Sequence, residues 1–558
     1  MTSFPELATF RAMSTPPPEG IPCGASVAPA AAGLPGHGSG RIVRATPAEE
    51  TSAMPDTVVA GRTPTAPTLD ERALARALSG HHLIGGQLVP SSSGKTFAVV
   101  NPATGEEVAT AALGDAADVE RAVTVAAAAQ KEWARVPARK RGELVGACAK
   151  ALAEHVEELA RLVALETGKA LRTESRVEAN VVADIFSFYG GLGSELKGET
   201  VPFHPDVLSM TIREPLGVVG AIIPWNVPML LMALKVAPAL VAGNAVVVKS
   251  AEEAPLAVLR ICEILNRILP PGLFNMLSGF GPECGGPLVE HPKVRKVTFT
   301  GSVEVGRIVG QAAAKKIVPV TLELGGKSPM IVFDDCDLER TVMGAITSMR
   351  FTRQGQSCTA ASRIYVHEKI FDAFAASLAA KVDAMVMGDP LDERTDIGTI
   401  ISTDQFAKVK GFIDEGLATP GAVGRACSSM PSDPALKKGL FIQPHIFSGL
   451  PRTSRLVREE IFGPVTVLFP FTDWQEVLAE ANDSEYGLAA SVWTNNLKVG
   501  LRMAHALEAG LVQINQNLVV QANLSYGGIK SSGLGKEASL EAMLEHFMHK
   551  KTIMVNMG

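Results

Sequence analysis

Val218-Val219-Gly220-Ala221-Ile222-Ile223-Pro224-Trp225-Asn226 opens the part of the chain that decides the fold. The apolar run Val218–Ile223 reads as a strand, and a helix signal follows from Pro228. Next come a strand over Ala245–Lys249, a helix over Pro255–Ile268, and strands over Phe274–Leu277 and Val297–Thr300. Strands alternating with helices predict a doubly wound parallel sheet. A second alternating set runs from Pro329 to about Ser491 and predicts a second α/β domain carrying Cys358.

Upstream of this core, Leu83–Leu88 reads as a hairpin and Thr96–Pro102 as a strand entering a turn. Amphipathic helices are expected over about Ala117–Arg135 and Arg139–Thr167. Order is expected to begin near His82. From Met1 to about Leu78 the chain is rich in Pro, Ala, Gly, Ser and Thr without sustained apolar periodicity, and reads as a disordered extension. It has no continuous apolar region of the secretory kind, and its prolines disfavour the amphipathic helix of a transit peptide. Met13 and Met54 leave a later start open.

At 558 residues the chain is too long for one compact core. With 46% apolar and 20% charged residues and a formal charge of −6, it lacks the basic run that nucleic-acid binding needs. Its seven cysteines are scattered without a C-x-x-C pair, which fits a reducing, cytoplasmic setting with neither disulfide framework nor metal site. The most apolar stretch, Val227 to Val248, is interrupted by Pro228, Lys235, Pro238 and Asn244, so no membrane span is expected.

Cys358 lies in Gln354-Gly355-Gln356-Ser357-Cys358, small and polar surroundings that let a substrate and backbone N–H groups approach a sulfur. A lone cysteine also serves as a small buried hydrophobe. Upstream, Glu323 in Leu322-Glu323-Leu324-Gly325-Gly326-Lys327 is a candidate base. Asn226 ends a strand, where its amide can stabilise an oxyanion or serve the turn before Pro228. Lys249 and Glu252 can hold a ribose or stand as solvated charges. Phe299–Gly306 joins a strand end to a helix start, where Gly301 and Ser302 suit a phosphate or an ordinary capped turn. No G-x-G-x-x-G follows any predicted strand, so a dinucleotide, if bound, would sit differently from the usual fingerprint.

Together, Trp225-Asn226, Lys249–Glu252, Phe299–Gly306, Leu322–Lys327, Gln354–Cys358, Glu459–Val465, and Tyr526–Lys530 with Ser532-Gly533 resemble the motifs of the aldehyde dehydrogenase superfamily, in order and at similar spacing. The resemblance covers nearly everything from His82 to the C-terminus. It implies an α/β fold of three parts: a Rossmann-type cofactor domain (79–196 and 216–322), an α/β catalytic domain (323–523), and a small β oligomerisation element (197–215 and 524–558) that makes a homodimer or homotetramer. It further implies NAD(P)-dependent oxidation of an aldehyde to a carboxylic acid through a thiohemiacetal and a thioester. Cys358 would be the nucleophile, Glu323 the base, and Asn226 an oxyanion donor. Ile223, Trp225, Lys249, Glu252, Gly281, Gly301, Ser302, Gly306, Glu460 and Phe462 would hold the cofactor. Glu252 favours NAD over NADP, since a carboxylate repels a 2′-phosphate. A CoA-acylating or carboxylate-bearing semialdehyde dehydrogenase, or a binding protein retaining the fold, are the alternatives.

Three positions depart from the family's usual pattern: Arg353 stands in place of a frequent Asn, Ser250 in place of Pro, and Ser525-Tyr526 in place of Pro-Phe. The aromatic cage of betaine-aldehyde members is missing, because Val227, Leu234 and Thr352 occupy its places. Met229, Leu230, Leu231, Leu234 and Phe351 are expected near the mouth, which suits an apolar aliphatic or aromatic aldehyde. Arg353 is the competing signal for a carboxylate-bearing substrate.

Overall fold

A computed structural model describes residues 70–516 and 521–558. Its first sheet has eight strands in the order Gln87–Val89, His82–Ile84, Phe274–Leu277, Ala245–Lys249, Val218–Ile222, Val294–Thr300, Val320–Glu323 and Gly533–Leu534. The five strands from Phe274–Leu277 to Val320–Glu323 run parallel, and antiparallel strands close both edges. Ala245–Lys249 is buried at every position, as a parallel strand covered on both faces must be. The second sheet has seven strands in the order Val423–Ala426, His445–Ser448, Val465–Phe471, Arg363–His367, Pro329–Val332, Ala489–Trp493 and Leu511–Ile514, all parallel after the first. The expected parallel sheet and the second α/β set are both present.

Two helices of the first domain start without a capping side chain of their own and borrow a carboxylate from elsewhere. Pro228–Ala242 begins with proline, whose missing N–H leaves no orphan donor there, and Glu178 accepts from the backbone of Met229 at 2.9 Å and Leu230 at 3.2 Å. Leu256–Leu265 is held the same way by Glu166, which accepts from Leu256 at 2.7 Å and Ala257 at 2.9 Å. Pro228–Ala242 ends at Gly243, whose φ of 100° a side chain would strain.

Three boundaries differ from the expectation. Order begins before His82: Glu71–Leu78 is a helix, with Asp70 accepting from the Ala73 N–H at its start and Ala75 and Leu78 buried on one face. The rest of the expected extension, up to residue 69, lies outside the described residues. The expected helix over Arg139–Thr167 is two helices, Ala138–Glu154 and Val156–Thr167, broken at His155. Glu323 closes a strand of the first sheet, paired with Thr300, so it belongs with that sheet and not at the start of the second α/β set.

The C-terminal segment is divided in its use. Met548–Asn556 pairs along its length with Val207–Pro215, and Glu199–Thr200 completes a three-stranded sheet, where the small β element is expected. Gly533–Leu534 instead joins the edge of the eight-stranded sheet, and Tyr526 and Glu537 enter the site. No helix among the described residues is long and apolar enough to cross a membrane, and no group of acidic, His or Cys side chains there is arranged to hold a metal ion.

Candidate active site

The parallel strands Val218–Ile222, Val294–Thr300 and Val320–Glu323 deliver Asn226, Gly301-Ser302 and Glu323 to one rim, the carboxyl end of the sheet where ligands of such folds bind. The Cys358 loop meets this rim from the second domain. Its backbone turns through positive φ at Gln354 (57°) and Gly355 (63°). A Cβ on Gly355 would fall 2.0 Å from the Gly463 carbonyl oxygen, so that turn needs glycine. Gln354 donates to the Gly398 carbonyl at 2.9 Å, and Gln356 donates to Thr399 at 3.1 Å and accepts from Ile401 at 3.0 Å. Across the interface a Cβ on Gly326 would lie 2.3 Å from the Cys358 carbonyl, so this glycine lets the Glu323 segment reach the cysteine's backbone.

Cys358 lines a cavity of about 200 Å³ together with Trp225, Asn226, Gly301, Ser302, Glu460 and Phe462. Its Sγ lies 3.6 Å from the Tyr526 hydroxyl. Burial pushes the thiol up to about 11, the Tyr526 hydrogen bond opposes this, and the charges of Glu460 and Glu323 add to the rise. Its affinity for a proton does not single it out, for burial also pushes Cys148 and Cys284 up to about 12. The cavity does, since the sulfur stands in a space that a substrate can enter.

Glu323 is 3% exposed, and neither of its carboxylate oxygens makes a well-aligned hydrogen bond among the described residues, the Gly528 N–H acting on it only weakly. Burial raises its pKa well above the usual range, and the nearby Glu537 charge adds to it, while Lys235 and Lys536 oppose. Such a carboxyl binds a proton more readily than an exposed one, as a general base requires. Behind it, Lys235 donates to Glu537 at 2.6 Å and Thr298 donates to the same oxygen at 3.1 Å. Lys296, also buried, is pushed down to about 7 by desolvation.

Asn226 is held from behind: its carbonyl accepts from the Lys169 ammonium at 3.0 Å, and Lys169 forms a buried ion pair with Glu178. The Asn226 amide donates to the Gln356 carbonyl at 3.2 Å, which ties the oxyanion candidate to the nucleophile's loop.

On the cofactor side, Trp225 packs edge-on against Phe462 with centroids 5.3 Å apart, and Phe462 itself has a φ of 59°. Glu460 accepts from the Gly326 N–H at 2.9 Å and is pushed up to about 7 by burial. Lys249 donates to Glu252 at 3.0 Å. The Ser302 hydroxyl accepts from Val305 at 3.2 Å, so it caps its helix while the helix start still faces the cavity. Gly281, Lys249, Ile222 and Phe299 line a second, largely apolar groove of about 380 Å³. A cavity at the sulfur, a helix start and an apolar groove beyond Lys249 fit the parts of a dinucleotide: ring, phosphates and adenosine.

Three expected cofactor residues line neither space: Glu252, which borders a separate cavity with Phe280 and Lys438, Ile223 and Gly306. Ile223 is buried, with its N–H on the Lys249 carbonyl at 3.2 Å, and Ile222 faces the groove instead. Gly306 lies against Leu324, where a Cβ would come within 2.4 Å, so its bareness serves helix packing. Near the expected mouth, Phe351 is wholly buried in the second domain's core and Met229 in the first's. Arg353 is engaged: its Nε donates to Glu174 at 2.8 Å, its terminal nitrogen and the Thr352 hydroxyl contact the same carboxylate, and little of the guanidinium is exposed. Sequence reasoning missed Gln405 and Lys408, which line the sulfur's cavity, and the Lys235–Glu537 pair. A lysine inside a wholly apolar helix is the one signal the sequence carries for that pair.

A model of the Aldehyde dehydrogenase family matches residues 88–553. The chain is 42% identical over 483 residues to phenylacetaldehyde dehydrogenase of Pseudomonas fluorescens, covering 85% of this chain and 95% of that protein. It is 40% identical over 475 residues to the mitochondrial benzaldehyde dehydrogenase of Antirrhinum majus, covering 84% and 88%. Among solved structures, betaine aldehyde dehydrogenase of Staphylococcus aureus in complex with NAD+ is similar at 36% identity and a TM-score of 0.83, over 88% of this chain and 97% of that one. An NAD+ complex of an aldehyde dehydrogenase from Bacillus cereus is similar at 35% identity and a TM-score of 0.84, over 88% and 99%.

Proposed function

We propose that this chain, which belongs to the aldehyde dehydrogenase family, oxidises an apolar aromatic or aliphatic aldehyde to its carboxylic acid with NAD, using Cys358 as nucleophile and Glu323 as base. The observation that carries the reading is the convergence of Cys358 and Asn226 on one cavity, with Glu323 buried, lacking a well-aligned hydrogen bond and raised in pKa, close enough for its charge to act on the thiol. The thiol gives up its proton to Glu323 and the sulfur bonds to the aldehyde carbon. The oxygen that becomes anionic is stabilised by the Cys358 N–H and the Asn226 amide. When bound, the dinucleotide supplies the hydride acceptor that turns this adduct into a thioester. Glu323, once it has passed the thiol proton to solvent, takes a proton from the water that hydrolyses the thioester.

Glu460, Phe462 and Trp225 would seat the ring end of the cofactor, the start of helix Val303–Lys316 its phosphates, and Lys249 with Glu252 its adenosine ribose, with Gly281 bordering the adenine groove. A carboxylate at Glu252 favours NAD, with NADP the weaker cofactor. The Arg353–Glu174 pair supports an uncharged substrate, because the guanidinium already has its carboxylate. Relatives named for phenylacetaldehyde and benzaldehyde support an aromatic one. The three-stranded sheet of Met548–Asn556 is the element through which copies would associate, and a cytoplasmic setting fits the cysteines. The test is NADH formation over a panel of aldehydes. Aryl and medium-chain aldehydes are expected to exceed succinic semialdehyde and betaine aldehyde in kcat/KM, and Cys358→Ala is expected to abolish turnover while the fold persists. Wild-type turnover in that variant would refute the reading.

A further inference from the structure

We infer that Tyr526 is a further catalytic residue of this site, its phenol O–H donating to the Cys358 sulfur and stabilising the thiolate that attacks the aldehyde. The inference rests on the assignment of Cys358 as nucleophile. Its first support is contact: the hydroxyl lies 3.6 Å from Sγ, inside hydrogen-bond range for sulfur, and Tyr526 is buried. The second is the rigidity of the ring's mounting. Tyr526 and Glu537 exchange backbone hydrogen bonds, at 3.0 Å from the Tyr526 N–H and 2.7 Å from the Glu537 N–H, and Glu537 is fixed in turn by Lys235 and Thr298. The phenol is thus aimed by a two-residue bridge and not left to a loose loop.

The third support is the balance of charge around the sulfur. Glu323 and Glu460 disfavour a thiolate, and of the two arginines whose charge reaches it, Arg350 and Arg353, the latter is held by Glu174. The phenol is the direct contact that opposes burial. Burial raises the phenol's own pKa well above its usual value, the charges of Cys358, Glu323 and Glu537 add to the rise and that of Arg350 opposes it, so the phenol keeps its proton and remains a donor. The thiol proton leaves to Glu323; Tyr526 keeps its own. A phenylalanine ring would fill the same space and supply no donor.

The test is the rate of iodoacetamide alkylation at Cys358, followed by peptide mass spectrometry on the full-length protein across pH, for wild type, Tyr526→Phe and Cys358→Ala. A hydrogen bond to a charged group predicts a loss of about tenfold at neutral pH in Tyr526→Phe, through an apparent thiol pKa raised by about one unit. Replacing the four tyrosines by 3-fluorotyrosine strengthens the donor, and alkylation at pH 8 is expected to rise. That arm also serves if the Phe variant does not fold. An unmoved apparent pKa in a folded Tyr526→Phe, or slower alkylation of the fluorinated protein, overturns the proposal. Hydride transfer surviving in Cys358→Ala overturns the nucleophile assignment and this proposal with it, whereas an inactive Cys358→Ala beside an unshifted Tyr526→Phe overturns the role of Tyr526 alone.

Discussion

The two flanks of Cys358 are built on opposite electrostatic plans. On the inner flank, Glu323 is buried with neither oxygen in a well-formed hydrogen bond, and the cations acting on it are the buried Lys235 and the half-buried Lys536. On the groove flank, Lys249 is paired with Glu252, Ser302 is used by its helix, Glu460 is satisfied by the Gly326 N–H, and Glu252 remains more than a third exposed. A carboxyl without partners is tuned by desolvation, which makes it hold its proton to higher pH than an exposed carboxyl does. A group already paired, as Lys249 is with Glu252, is committed to its partner and suits recognition, while Glu460, pushed up to about 7 by burial, is the exception on this flank. On the function proposed above, the inner flank would do proton chemistry and the groove flank would hold a ligand.

The largest effect that would break this contrast is at Glu323. Glu323→Gln is expected to lower the steady-state rate by roughly 10²–10⁴-fold, the usual contribution of a general base, while a first turnover of NADH persists. An unchanged steady state would show that proton transfer lies elsewhere. Because burial raises this pKa, wild-type turnover should fall as pH drops through it, and the variant should lose that limb. Stability runs the other way. The folded state holds the Glu323 proton to higher pH than the unfolded chain does, so the stability tied to this group is present at low pH and is lost as pH rises. Melting of Glu323→Gln should accordingly gain on wild type at alkaline pH.

Next in size is the pair that fixes the nucleophile's loop. Arg353→Ala would strand the Glu174 carboxylate, at a cost of about 3 kcal/mol in denaturant unfolding. Adding Glu174→Gln should recover much of the loss. A selective loss of succinic semialdehyde oxidation, with stability unchanged, would instead put Arg353 in the substrate site.

The smallest effect lies on the groove flank. Glu252→Gln should raise KM for NAD by about tenfold with little change in kcat, and narrow the preference over NADP. A kcat defect of the size seen at Glu323 would erase the distinction between the two flanks.

The sequence by itself determined the two parallel sheets, because unbroken apolar runs such as Ala245–Lys249 can be satisfied only by burial on both faces, and period and turn residues are local properties. It also named Cys358, Glu323 and Asn226, whose residue types and neighbours carry their chemistry. Tertiary structure decided what distance along the chain hides. Tyr526, 168 residues from Cys358, reaches its sulfur; Glu174, 179 residues from Arg353, occupies its guanidinium; Gly306 proves to be a packing glycine and Ile223 a core residue. Pairings of this kind depend on which strand ends and loops converge, and desolvation depends on everything that covers a group. Neither is a property of the residues adjacent in sequence.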